Sequence, residues 1–424
     1  MRERVVITGI GCISSFAIGH ARLIDGLACG SSGVAPITQF DTTGCGSHRA
    51  AMLQGFDPAA FIPPMKLRRM DAVSKLTLAC AALLFEDAGR RVREGERDEA
   101  GIALGTFTAG LDSLNEYLTA LTDGGPGAVP AIMFSSTISN APASQCAIQY
   151  GLRGPNVTFN QREASSLAAL AFSVGAIRDR RTTAMVSGGA DCVDETFFKV
   201  HDRFRALSPR AAGAPHAGAE AARPFDRRRN GFVLGEGGFL MLLESAEVAR
   251  LRGARVYGEI VGVGATASRT ALNGWPEDGG GIARAMRLAL ADADLTPDRI
   301  AAVMATANGS ASLDRVEAEA IADVFGACAV PVASVKGAIG ESGAAGAAAL
   351  IAALLSIGRQ TLMPTAGFAE PDRECAVAVT GSRQQVTSDT FLVNSVASGG
   401  TNYCLAVKAA PAVALSTENT PDAG

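Results

Sequence analysis

The chain has 424 residues, 48% of them hydrophobic and 19% charged, which is too apolar for intrinsic disorder and long enough to bury a large core. Its net charge is −4, and outside Arg227 to Arg229 and the pair Arg180 and Arg181 the basic residues are dispersed, which argues against nucleic acid as a partner. A charged start runs at once into a strand with no signal-peptide pattern, and the longest apolar run, 344–357, is too short for a bilayer, so a cytoplasmic protein without membrane association is expected. Nine cysteines lie scattered without CxxC spacing; they read as reduced small hydrophobes, and neither a metal nor a cofactor is expected.

The elements alternate in α/β fashion. "RVVITGIGCI" is a first strand and "HARLIDGLACG" a helix closed by Gly30, after which "RMDAVSKLTLACAALLFEDAG" is a long helix ending at Gly89. "EAGIALGTF" is the next strand, and residues 136–150 form a helix leading into "GLRGPN". Then comes "NVTFNQREASSLAALAF", residues 156–172, a β-branched run that turns directly into a small-residue helix. Such an elbow lifts one side chain out of the sheet and aims helix N–H groups at it, the arrangement many α/β enzymes use for a nucleophile. Here that side chain is Glu163. "TTAMVSGGADC" is a buried strand, and "GFVLGEGGFLMLLES" reads as two short strands around a glycine turn.

The second half repeats the logic. "AAVMATANGSAS" parallels "EAGIALGTFTAG", "PVASVKGAIGESGAAGAAALIAALLSIG" mirrors the elbow, and "DTFLVNSVASGGTNYCLAVKA" supplies two strands joined through Gly399 and Gly400. An internal duplication is the simplest account, with the two elbows facing one another and a pocket between them at the strand ends. Residues 208–224 read as a surface excursion near the pocket mouth, and 411–424 as a flexible tail.

"ARPFDRRRNGFVLGEGGFLMLLES", "FDPAAFIPPMKLRRMDAVSKLTLACAALLFEDAG", "YGLRGPNVTF", "LDRVEAEAIADVFG" and "GAIGESGAAGAAA" together resemble the β-ketoacyl-acyl-carrier-protein synthases, in order and over nearly the whole chain. The resemblance implies a thiolase-like five-layer αβαβα fold with internal duplication, a dimer, and halves at 1–254 and 255–410. It also implies a site of one cysteine, which takes the acyl chain as a thioester, and two histidines that stabilise an enolate. The matching positions here hold Glu163, Asn308 in "TANGSASLD" and Glu341 in "KGAIGESGAAG". All four histidines, His20, His48, His201 and His216, lie upstream of the histidine motifs, and none maps onto either one.

A carboxylate cannot form the acyl thioester, and an ionised Glu341 would repel a malonyl carboxylate, so the expectation is a chain that is not an enzyme on its own. Its pocket is then a structural polar cluster in which Lys336, retained from the family's network together with the supporting residues Asp314 and Glu317, neutralises Glu163, Glu341 or both, while Ser398 stands where the family has a gating phenylalanine. The pattern resembles the chain-length factor of type II polyketide or aryl polyene synthases. That likeness implies a heterodimer with an active ketosynthase, a chain carried on an acyl carrier protein, and a tunnel end bounded by candidates Phe107, Leu114, Tyr117, Met133, Phe134 and Ile138. The Arg227 to Arg229 cluster is either a solvated turn or a place for an acidic carrier to dock. Rival readings are a remodelled acid–base site of Glu163, Asn308 and Glu341 acting as an acyl-thioester decarboxylase or hydrolase, and a carrier-binding scaffold. Each site residue also has a plain structural role open to it: helix-dipole partner for Glu163, turn former for Asn308, cap for Glu341.

Overall fold

The computed structural model describes residues 2–68, 70–90, 94–209 and 220–410. Eleven strands run in the order Ala378–Val379, Pro331–Ala333, Ala302–Met304, Thr390–Val396, Thr401–Ala409, Gly258–Ala267, Val5–Ser14, Gly237–Ser245, Ala184–Asp191, Ala100–Gly105 and Asn156–Phe159. From the central pair Gly258–Ala267 and Val5–Ser14, each side continues outward through two antiparallel pairings and then two parallel ones, and the side of Gly258–Ala267 adds a third parallel pairing to the edge strand Ala378–Val379. Apart from that edge strand the order is the same on both sides, as a duplicated sequence requires. Among the described residues the central pair registers through Val6 with Glu259 and Ile7 with Gly258.

Helices fill the remaining layers. Ala72–Asp87 and Ala141–Tyr150 cover the outside of the first half, and Gly280–Asp292 and Ala311–Phe325 the outside of the second. Between the halves lie Ser165–Arg178 and Ala345–Gly358, packed on each other and on strands of both halves. The small residues of the two elbow helices have their explanation here, because a helix buried on every side accepts no polar face and little bulk. A Cβ on Gly346 would stand 2.5 Å from Leu167 Cδ1, and one on Gly105 would stand 2.3 Å from the backbone of Ser165. The first contact lets the two inner helices cross closely, and the second seats a strand end on a helix N-terminus.

Two local expectations change. The Ala72–Asp87 helix starts later than its apolar pattern because Asp71 caps it, accepting from Ser74 N at 2.9 Å. "FVLGE" forms no strand of its own; Gly237–Ser245 is the single strand there, and residues 232–235 make isolated bridges to Leu207, Ala51 and Glu341. The cause is a close approach: a Cβ on Gly235 would meet the carbonyl oxygen of Ile339 at 1.9 Å, so this backbone lies directly against the second elbow. The tail at 411–424 and residues 210–219 of the expected surface excursion lie outside the described residues. No helix among the described residues is long and apolar enough to cross a membrane.

Candidate functional site

Glu163 sits in a single 3-10 turn, Arg162–Ala164, that leads from strand Asn156–Phe159 into helix Ser165–Arg178. The elbow is held by Arg162 at φ 52°, by Ser165 Oγ donating to Arg162 O at 2.6 Å, and by Gln161 N donating to Ser165 Oγ at 2.9 Å. The carboxylate is buried and accepts from Ser398 N at 2.9 Å and from Ser398 Oγ at 3.0 Å. Burial, and after it the charge of Glu341, pushes its pKa up to about 7. Near neutral pH this group is therefore partly protonated, unlike an exposed glutamate.

The second elbow is charge-compensated. Glu341 Oε2 accepts from Lys336 Nζ at 2.8 Å and from Asn308 Nδ2 at 2.7 Å, and Ser342 N donates to Oε1 at 3.1 Å. Lys336 Nζ also donates to Thr306 Oγ1 at 3.0 Å. Asn308 is held by its own backbone, whose N–H donates to Asp314 Oδ1 at 3.0 Å, while its Oδ1 accepts from Ser310 N at 2.9 Å. Asp314 further accepts from the N–H groups of Phe225 and Gly309, and burial pushes its pKa up to about 7. Glu317 accepts from the N–H groups of Thr306 and Ala307 and from Asn394 Nδ2, with burial again raising its pKa. Asp314 and Glu317 thus act on the loop before helix Ala311–Phe325, pinning its backbone.

Two spaces adjoin Glu163. One is a cleft of ≈ 590 Å³ whose walls include Phe107, Leu111, Arg162, Phe197, His201, Phe204, Phe232, Trp275 and Ser398. The other, between Glu163 and Glu341, has only ≈ 10 Å³, about the room one water needs. Malonyl-sized groups do not fit between the two carboxylates. Cys192 borders this void, but burial pushes its thiol well above the usual value, so it stays protonated and is no substitute nucleophile.

Of the six expected tunnel residues, Phe107 lines the cleft; Leu114, Tyr117, Met133, Phe134 and Ile138 do not. Leu111 and Asn115 of the same helix, Leu111–Gly124, reach it instead. The Arg227 to Arg229 cluster is occupied by acids: Arg227 pairs with Glu370, Arg228 with Asp226 at 2.8 Å, and the buried Arg229 with Asp372. What sequence reasoning missed is His201. Aligned motifs offered it no role, yet helix Glu195–Arg203 carries it into the cleft beside Glu163. Its Nδ1 donates to Phe197 O at 2.8 Å, leaving Nε2 as an acceptor, and burial lowers its pKa. The signal available was the spacing of Phe197, His201 and Phe204 along one helical face.

Residues 2–249 match the family description "Beta-ketoacyl synthase, N-terminal domain", and residues 257–369 match "Beta-ketoacyl synthase, C-terminal domain". This chain belongs to the β-ketoacyl synthase family. A 3-oxoacyl-[acyl-carrier-protein] synthase 2 of Coxiella burnetii is 30% identical over 409 residues, covering 95% of this chain and 98% of that protein. The solved ishigamide ketosynthase/chain length factor superposes with a TM-score of 0.88 at 31% identity, covering 97% of this chain and 100% of that one. A type II polyketide synthase acyl-carrier protein in complex with its ketosynthase bound to the hexaketide gives 0.86 at 25% identity, with 97% and 100% covered.

The thiolase-like ketosynthase fold, with its large central sheet, is thereby established. One expectation is overturned. Relatives in Coxiella burnetii, Synechocystis and Vibrio cholerae carry the name of a catalytic synthase, which favours an active ketosynthase over a chain that is not an enzyme. The physical reason the earlier inference fails is that it equated a missing thiol with a missing function. A carboxyl group that titrates near pH 7 in a cleft is a competent proton donor and acceptor.

Proposed function

We propose that this ketosynthase-family chain is a subunit of an active synthase, working on acyl chains presented by an acyl carrier protein in the place of a chain-length factor. It pairs with a second ketosynthase that contributes the thiol for condensation, and its cleft bounds the growing chain. The observation that carries this reading is Glu163, a carboxyl group held by Ser398 where acyl transfer needs a thiolate. The name of the ketosynthase/chain length factor neighbour supports the pairing, and that of the complex with a carrier protein supports the carrier. The test is co-expression with a ketosynthase that holds the cysteine and both histidines, followed by product analysis with malonyl carrier protein. Phe107→Ala enlarges the cleft, and each added methylene of depth is worth roughly 0.8 kcal/mol of burial, so longer products are expected. A covalent acyl adduct on this chain in isolation, or products unchanged by its presence, would sink the reading.

A second reading rests on the proton affinity of Glu163 and on relatives that are synthases: an acid–base site acting on acyl thioesters by hydrolysis or decarboxylation. Within it Asn308 and Glu341 serve each other, so Glu163 is the reactive member. Loss of turnover in Glu163→Gln with pairing intact would favour it, and full retention of turnover would remove it.

A further inference from the structure

Arg162 is unusual among the cleft residues. Its guanidinium donates to Ser398 Oγ at 3.0 Å and to Asn273 Oδ1, both neutral acceptors, and among the described residues it forms no ion pair. Arg162 and Asn273 are both non-glycine residues in the left-handed region, at φ 52° and φ 63°. Arg162, a residue that seldom adopts this conformation, is thus bonded to a turn asparagine that adopts it easily, and the surrounding structure holds the arginine there at a cost, a pattern found at ligand sites. The walls around this cation are aromatic: Phe107, Phe197, Phe204, Phe232 and Trp275. A half-buried guanidinium with neutral partners in an apolar cleft has an unmet preference for a planar anion.

We infer that the cleft is a binding site for an amphipathic free carboxylic acid, its carboxylate seated on Arg162 and its apolar body among the aromatic side chains. Without a thiol to bond an acyl carbonyl, the polar end of the cleft holds the carboxyl group by charge-assisted hydrogen bonds. Burial lowers the pKa of His201 and raises those of Glu163 and Asp194, the two acids on the cleft wall, so each is moved toward its uncharged form, and among the described residues Arg162 is the one lysine or arginine lining the cleft. The inference rests on taking this cleft as the acyl site of the proposed function, but it concerns the isolated chain. Failure to pair with a ketosynthase would leave it untouched.

The chain has one tryptophan, Trp275, and it lines the cleft, so its fluorescence reports occupancy directly. The full chain is titrated at pH 6 with decanoate, with decanamide as the uncharged isostere, and with inorganic phosphate, and calorimetry gives a second readout. Decanoate is expected to bind at least about tenfold more tightly than decanamide, phosphate to bind weakly, and Arg162→Gln to abolish the preference. The decanoate-to-decanamide ratio in the unaltered protein decides the matter even where Arg162→Gln does not fold. Equal affinities, no saturable binding of decanoate, or an unchanged ratio in a folded Arg162→Gln would overturn the inference. Phosphate binding as tight as decanoate would also overturn it, and would assign the cation to a phosphate group instead.

Discussion

The two elbows occupy matching places in the duplicated halves and both present a buried glutamate, yet their carboxyl groups live in different electrostatic worlds. Glu341 has a lysine at 2.8 Å and an amide at 2.7 Å; Glu163 has a hydroxyl and a backbone N–H, with a second acid nearby and no lysine. One is a buried ion pair. The other is poised to change protonation near pH 7. The lesson is that topology places the group, while the next layer of side chains decides whether it is structural or reactive.

The largest expected effect breaks the compensated side of this comparison. Lys336→Met removes the cation from a carboxylate that is 2% exposed, and breaking a buried pair in this way costs about 3–5 kcal/mol. Urea unfolding measures the loss, and Lys336→Met with Glu341→Leu should recover most of it, since the pair together is worth far less than either orphaned charge. If the single variant loses under 1 kcal/mol, the lysine is not what compensates the second elbow and the contrast between the elbows collapses.

Next comes the pH dependence of the uncompensated side. Glu163 is raised from its usual 4.5 to about 7, so the folded state binds its proton more tightly than the unfolded chain does. The contribution of this group leaves stability unchanged below about pH 4.5, lowers it progressively as pH rises to about 7, and is a constant penalty above, on the order of 3 kcal/mol. Glu163→Gln should flatten that part of the stability profile. A slope between pH 5 and 7 that survives the substitution would assign the titration elsewhere, with buried Asp314, also raised to about 7, the first alternative.

Much of this contrast was legible from residue order. The strand-to-helix turns, the repeated halves, and the positions of Glu163, Asn308 and Glu341 all follow from local patterns: β-branched runs, glycine turns and small-residue helices. Lys336 pairing with one acid and leaving the other to neutral donors did not follow, because spacing alone allowed it to serve either. Nor did the reach of His201, which enters the cleft from a helix distant in sequence from both elbows. Side chains brought together by crossing elements carry no local signature, and the closing of the space between the carboxylates depends on backbone approaches such as that of Gly235 to Ile339.

A smaller effect probes how the elbows are wedged together. A Cβ on Gly343 would stand 2.7 Å from Arg162 O and 2.9 Å from Asp191 Oδ2, and Gly343 O accepts from Ser166 N at 3.0 Å. Gly343→Ala must move the first elbow relative to the second, at a cost of about 1–3 kcal/mol. Because that shift disturbs the cleft end at Arg162, decanoate affinity should fall together with stability. Loss of stability with binding unchanged would mean that the elbows move independently.

The smallest expected change in the isolated chain lies at an exposed apolar surface. Phe134 is 61% exposed, its ring centroid 6.4 Å from that of Tyr117; Leu118 and Ile132 stand exposed on the same two packed elements, and Ile138 stands exposed just beyond them in the chain. An exposed phenylalanine contributes little to folding, so Phe134→Ala should alter unfolding free energy by no more than about 0.5 kcal/mol and leave the pH profile of Glu163 intact. Apolar side chains gathered on one face are instead what an association surface requires. If this face meets the companion ketosynthase, the same substitution should weaken pairing by about tenfold or more in sedimentation measurements. An unchanged pairing constant would move the interface away from helix Leu111–Gly124, and with it the route by which a partner closes the end of the cleft that Phe107 and Leu111 begin.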